Sequence, residues 1–273
     1  MLTLAAQMMN ATVELEQQLR PGLRRVGAGF LMASTCAEMR PCTVLVTADH
    51  VFRGMAKGTV TVGYRVEDDE GGWTFAPEPV RIRDSAGSSL WTRHPSRDIA
   101  VIEVVAPEPF ARAAIPADYL AQGPGTANRG LQGGDELLTL GFPEGLAANG
   151  AGFPILRAGR VSSYPLSPIS RVPTFLLDFS VFGGNSGGPV FAAESGGDGR
   201  RLGSIAGLLT QQVEDARGRL AIGIVTQAQF IVETLALLQT SATPTPQKVQ
   251  SPTSVDASRH ASGDGCLSWA VSK

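Results

Sequence analysis

Among the side chains able to do chemistry, one serine stands apart. Ser186 lies in Gly183-Gly184-Asn185-Ser186-Gly187-Gly188-Pro189-Val190, where four glycines surround a single hydroxyl. Glycine gives up side-chain packing and costs backbone entropy, which suits a backbone that must come close to another molecule. A serine hydroxyl attacks a carbonyl at neutral pH only when an adjacent base takes its proton. Histidine, with an ordinary pKa of roughly 6.5, can take that proton and return it. The chain has three histidines. His260 falls in a Ser/Thr/Pro-rich tail and His94 beside Pro95 in an irregular stretch, whereas His50 follows the apolar run 43–47 at a strand end, where chemistry is usually mounted. The base needs a carboxylate on its other nitrogen to fix its tautomer and stabilise the imidazolium. Asp98, leading Ile99-Ala100-Val101-Ile102, is a carboxylate held at the edge of a core strand.

The elements around these residues read as β structure with a helix at each end. Leu4, Met8, Ala11, Leu15 and Leu19 recur at helical spacing until Pro21-Gly22, which predicts a leader helix over 1–22. Short turn-bounded strands follow at 26–32, 43–47, 59–66, 73–75, 80–83 and 98–105, forming a first β-rich half over 23–110. Pro107, Pro109, Pro116, Pro124 and the glycines of 123–134 carry little periodicity, so 111–134 reads as a linker. Strands resume at 136–142, 156–162, 174–181, 189–192, 202–210 and 220–226, a second half over 135–226. Residues 227–240 are helical in pattern, and 241–273 is too poor in apolar residues to order itself.

The totals exclude several classes of function. With 43% apolar and 18% charged residues and a formal net charge of -2, neither wholesale disorder nor a general attraction to nucleic acid is expected. Glu67, Asp68, Asp69 and Glu70 precede Gly71-Gly72 without the ligand spacing of a calcium loop, so a solvated turn is expected there and no metal or cofactor is assigned. No run is long enough to span a bilayer, and the first positive charge, Arg20, comes too late for a secretory signal. No membrane partner is expected, and the cytoplasm is the default compartment. Three cysteines make no disulfide scaffold, though Cys36 and Cys42 flank a hairpin turn and can pair across it if the compartment is oxidising. Cys266 reads as a free thiol in the tail.

Taken together, Val26-Gly27-Ala28-Gly29-Phe30, Thr47-Ala48-Asp49-His50-Val51, Asp98-Ile99-Ala100-Val101, Gly141-Phe142-Pro143 and Gly184-Asn185-Ser186-Gly187-Gly188-Pro189 resemble a chymotrypsin-fold serine peptidase. The bacterial high-temperature-requirement type is closest, although too few residues follow Val232 for its peptide-binding PDZ domain. The resemblance implies an all-β fold of two six-stranded antiparallel barrels, with His50 and Asp98 from the first and Ser186 from the second. It implies an endopeptidase acting on polypeptide substrates through an acyl-enzyme, with the amides of Gly184 and Ser186 as oxyanion hole. Ser180 would lie at the floor of the primary pocket, and Gly207, Leu208, Leu209 and Gly223 would form its walls. With no acid at that floor, small or medium apolar residues are expected before the cleaved bond. Two positions depart from the family pattern. Asp49 replaces a small residue and is expected to point away from His50; Asn185 replaces an aspartate, so activation by a new N-terminal ammonium is not implied. The alternative is a non-catalytic protein that holds peptides or partners on a peptidase fold.

Overall fold

The computed structural model describes residues 3–120, 131–192, 204–215 and 218–240. The first half comprises α1 (Leu4–Ala11), β1 (Thr12–Arg20), β2 (Leu23–Thr35), β3 (Pro41–Thr47), α2 (Asp49–Gly54), β4 (Thr59–Glu67), β5 (Trp73–Arg81), β6 (Thr92–Arg93), β7 (Ala100–Val104), α3 (Glu108–Ala113) and β8 (Ile115–Pro116). The second comprises β9 (Glu136–Gly141), β10 (Ile155–Val161), β11 (Thr174–Asp178), β12 (Pro189–Ala192), β13 (Ser204–Asp215), β14 (Gly218–Gln227) and α4 (Gln229–Thr240).

Only the second half closes. Its strands form a barrel in the order β10-β11-β14-β13-β12-β9, while the first half is a sheet in the order β5-β4-β1-β2-β3-β7-β6 with β8 beside β2. This corrects the expectation of two six-stranded barrels. One edge strand, β5, carries Pro77 and Pro79, which have no N–H to offer a further neighbour, and the other, β6, is two residues long. The stretch expected as a linker carries the end of α3 and all of β8, and Phe110, earlier in α3, is buried edge-on against Tyr64, ring centroids 5.0 Å apart. Residues 121–130 of that stretch, the expected tail 241–273, His260 and Cys266 lie outside the described residues.

The expected leader helix is also corrected: it ends at Ala11, and 12–20 is a strand paired with β2 from Thr12↔Phe30 onward. Leu15 satisfies both periodicities, but Val13 and Leu15 alternate at a period of two and are fully buried. Thr12 ends the helix by donating its hydroxyl to the Met8 carbonyl at 2.7 Å. The Met9 and Asn10 carbonyls of the helix end accept from the Arg65 guanidinium at 3.3 and 2.9 Å, which also donates to the Thr12 carbonyl at 2.8 Å and across to Gly152 of the second half at 2.9 Å. Carbonyl dipoles at a helix C-terminus stand in for a carboxylate there. Burial pushes the Arg65 pKa down to about 10, so it remains a cation at neutral pH.

Two apolar clusters organise the packing. One fills the barrel with Leu137, Val161, Phe175, Leu177, Val190, Leu209 and Val225. The other lies under the first sheet and also takes in Leu140, Phe191, Ile205 and Leu208 of the second half and Phe230, Ile231, Leu235 and Leu238 of α4. Each such side chain stabilises the fold by about 1.5–3 kcal/mol on burial, so the halves are welded by a shared core. Cys36 and Cys42 are disulfide-bonded across the β2–β3 turn with Cα atoms 5.9 Å apart. Among the described residues no helix is long and apolar enough to cross a membrane, and no group of His, Cys, Asp and Glu is arranged to hold a metal ion.

Candidate active site

Adjacent strands bring His50 and Asp98 together. β3 and β7 are antiparallel with Thr47 opposite Ala100, so the residues just past the end of one and just before the start of the other meet. The backbone N–H of His50, in the first turn of α2, donates to Asp98 Oδ1 at 2.8 Å, and its Nδ1 donates to Oδ2 at 2.6 Å. A carboxylate only accepts, so Nδ1 carries a proton, and in the neutral ring this tautomer leaves the lone pair on Nε2. Burial pushes the Asp98 pKa up, but the hydrogen bonds and charge of His50, with the charge of Arg53, outweigh it and hold the carboxyl below its ordinary value. Asp49 is turned away and buried, accepting from Trp91 Nε1 at 2.8 Å and pairing with Arg53 Nε at 2.8 Å.

The loop that carries Asp98 has a second anchor. His94 accepts from Ser96 N–H on Nδ1 at 3.2 Å, which leaves Nε2 to donate to Glu233 of α4 at 3.0 Å. Its backbone N–H donates to the Ile99 carbonyl at 3.0 Å, bracketing Asp98. The irregular stretch that hid His94 in the sequence is thus a tethered turn, and its partner lies 139 residues away.

Ser186 is placed from the second half by backbone. Its carbonyl accepts from Ala28 N–H at 2.8 Å, and the Ala28 carbonyl accepts from Thr47 Oγ1 at 2.7 Å, so the serine turn docks against the strand that leads to His50. Gly187, at φ 87°, allows that approach, since a Cβ would collide with the Ala28 carbonyl and the Thr47 hydroxyl. The Ser186 hydroxyl donates to the Thr210 carbonyl at 3.4 Å and makes no hydrogen bond to His50. Gly184 stands at φ 92° with its Cβ position against the Phe142 carbonyl. Among the described residues the amides of Gly184 and Ser186 donate to no other group. Asn185 is buried with neither side-chain Oδ1 nor Nδ2 paired to a described residue.

The expected pocket residues separate. A Cβ on Gly223 would meet Phe179 at 2.7 Å, Leu209 at 2.9 Å and Val181 at 3.1 Å, so these four share one apolar corner of the barrel. Ser180 runs beside that corner, and its carbonyl accepts from Arg157 Nη1 at 2.5 Å. Leu208 points to the opposite face of β13, into the core between the halves, and Gly207 packs against the Thr226 carbonyl of β14. The segment on the serine side of β13 begins at Leu209, whose carbonyl takes Gly187 N–H at 2.8 Å, and continues through Thr210. Sequence reasoning missed Thr210.

A closed barrel and an edge-protected sheet, with a histidine–carboxylate pair mounted on the sheet and a glycine-bounded serine on the barrel, define a two-part β fold of the peptidase kind. The chain belongs to the family of the trypsin-like peptidase domain, which matches residues 27–197. Its fold is that of HtrA-type proteases. AlgW, an HtrA-type protease with a tripeptide, aligns at 16% identity and TM-score 0.53 over 88% of this chain and 63% of its own. The Rv3671c protease from M. tuberculosis, in its active form, aligns at 20% identity and TM-score 0.52 over 90% of this chain and 88% of its own. Deg5 aligns at 17% identity and TM-score 0.51 over 86% and 91%. The chain spans less than two thirds of AlgW. No curated protein matches it.

Proposed function

We propose that this protein is a serine endopeptidase that cleaves polypeptides through an acyl-enzyme. The carrying observation is the two-point bond from His50 to Asp98, which spends Nδ1 and leaves Nε2 to serve as the base, while the Ser186 turn docks on Ala28 of the first half. In this reading the Ser186 hydroxyl leaves its long bond to Thr210 and turns to His50 Nε2, which takes its proton as Oγ attacks the substrate carbonyl. Asp98 stabilises the imidazolium, and the unpaired amides of Gly184 and Ser186 receive the oxyanion; one such donor is worth on the order of 10²–10³ in rate. His50 then protonates the leaving amine, and water repeats the sequence on the acyl-enzyme.

The corner formed by Val181, Leu209 and Phe179 around Gly223, with Ser180 beside it, supports a primary pocket for small or medium apolar side chains. The bond from Ser186 to Thr210 in place of His50 favours one alternative, a peptide-holding protein without turnover. A diverse peptide library incubated with wild type and with Ser186→Ala separates the two. Cleavage after Ala, Val or Leu by wild type alone is expected. Cleavage after Arg or Lys would overturn the pocket assignment, and no cleavage by folded wild type would overturn the enzyme.

A further inference from the structure

The oxyanion-binding peptide is held from the other half of the molecule. The carbonyl of Gly183 and the N–H of Gly184 belong to one trans peptide and point in opposite directions. The Gly183 carbonyl accepts from Glu144 N–H at 2.6 Å, and the Gly184 carbonyl accepts from Phe142 N–H at 3.2 Å. Both carbonyls are therefore turned toward the 142–145 turn, and the Gly184 N–H is turned away from it. That turn is not relaxed: Glu144 stands at φ 52° and ψ 24°, a left-handed conformation disfavoured for a residue with a Cβ. Gly145 N–H closes it on the Phe142 carbonyl at 2.8 Å.

A side chain of the first half tethers the turn. Arg24 of β2 donates through Nη2 to the Gly145 carbonyl at 2.9 Å. Its Nη1 is fixed by two carboxylates of β1, Glu16 at 2.5 Å and Glu14 at 3.7 Å. The planar guanidinium suits this split duty, with one arm on carboxylates and the other on a carbonyl. Gly145 lies so close that a Cβ there would collide with Nη2.

We propose that Arg24 is a positioning residue: by pinning the 142–145 turn it keeps the Gly183–Gly184 peptide oriented with the Gly184 N–H toward the reacting oxygen. This rests on the reading of that amide as an oxyanion donor. Gly183 and Gly184 have no Cβ to resist rotation of the plane between them, so the orientation is set from outside. Without the tether the competent orientation becomes a fraction of the population, and turnover falls by that fraction while substrate still docks.

Arg24→Ala is expected to lower kcat about tenfold on a peptide substrate with KM within about twofold, and Arg24→Lys, which restores a single donor, to recover about threefold of that loss. Glu16→Gln, which loosens Arg24 without removing it, gives a smaller loss in the same direction and serves if the alanine variant does not fold. An unchanged kcat, or a loss carried by KM alone, overturns the proposal. Spectra of the same proteins labelled with ¹⁵N-glycine keep the two readings apart. If folded wild type neither cleaves peptide nor labels at Ser186, the peptidase reading fails. The tether is still judged by whether the Gly145 and Gly184 amide resonances move in Arg24→Ala, and unmoved resonances overturn it.

Discussion

The two halves contribute to the site by opposite means. The first supplies side chains fixed by other side chains: Asp98 grips His50 at two points, and His94 and Glu233 steady the loop beneath. The second supplies a backbone fixed by backbone: Ser186 and its neighbours are set by Ala28, Leu209, Phe142 and Glu144 through amides and carbonyls, with glycine wherever a Cβ would collide. In the proposed mechanism the base takes its tautomer from a side-chain partner, whereas the oxyanion is met by backbone amides. Damage to the first half should therefore misassign a proton, and damage to the second should misplace a dipole.

The largest expected effect tests the side-chain half. Asp98→Asn keeps the shape but can present a donor to Nδ1, favouring the wrong tautomer, and should lower kcat by about 10⁴ with the fold intact; a loss below tenfold would dissolve the contrast. For the backbone half, Gly184→Ala places a Cβ against the Phe142 carbonyl at φ 92° and should cost on the order of 10²–10³ in kcat through the displaced donor, read alongside a melting curve. A full rate would show that the amide is not used.

Glu14 tests the tether between the halves by stability. Burial pushes its pKa up most, with Glu16 adding to the rise and Arg24 opposing it, to about 7 from an ordinary 4.5. The folded state therefore binds the proton more tightly than the unfolded one, and the protein loses stability as pH rises from about 4.5 to about 7, on the order of 3 kcal/mol in all. Glu14→Gln should melt higher than wild type at pH 8 and alike at pH 4; equal melting at both would remove the burial argument. The smallest effect belongs to the β2–β3 turn, where Cys42→Ser should cost about 2 kcal/mol under oxidising conditions and nothing under reducing ones.

What could be read from the sequence follows the same division. His50, Asp98 and Ser186 stand out because their side-chain types, in strand-end and glycine-rich settings, leave few other uses. The glycines announced a close backbone approach without saying to what; the Phe142 and Ala28 carbonyls are contacts that no residue type encodes. β1 was hidden because Leu15 fits both a helical and an alternating pattern, and the deciding partner, Phe30, belongs to another strand. Of the residues expected as pocket walls, Leu208 and Leu209 part because successive strand residues take opposite faces, and which face meets the barrel core depends on partners that composition does not mark. The first sheet stays open for a reason that was visible, Pro77 and Pro79, but its meaning depends on β5 being an edge.

The central claim is that the two halves meet to make Ser186 a nucleophile activated by His50. A fluorophosphonate probe with adduct mapping measures this directly, comparing the rate of modification in wild type with that in His50→Ala. The account predicts an adduct on Ser186 that forms at least about 10³-fold more slowly without the imidazole. An adduct elsewhere, none at all on folded protein, or equal rates in the two proteins would contradict it.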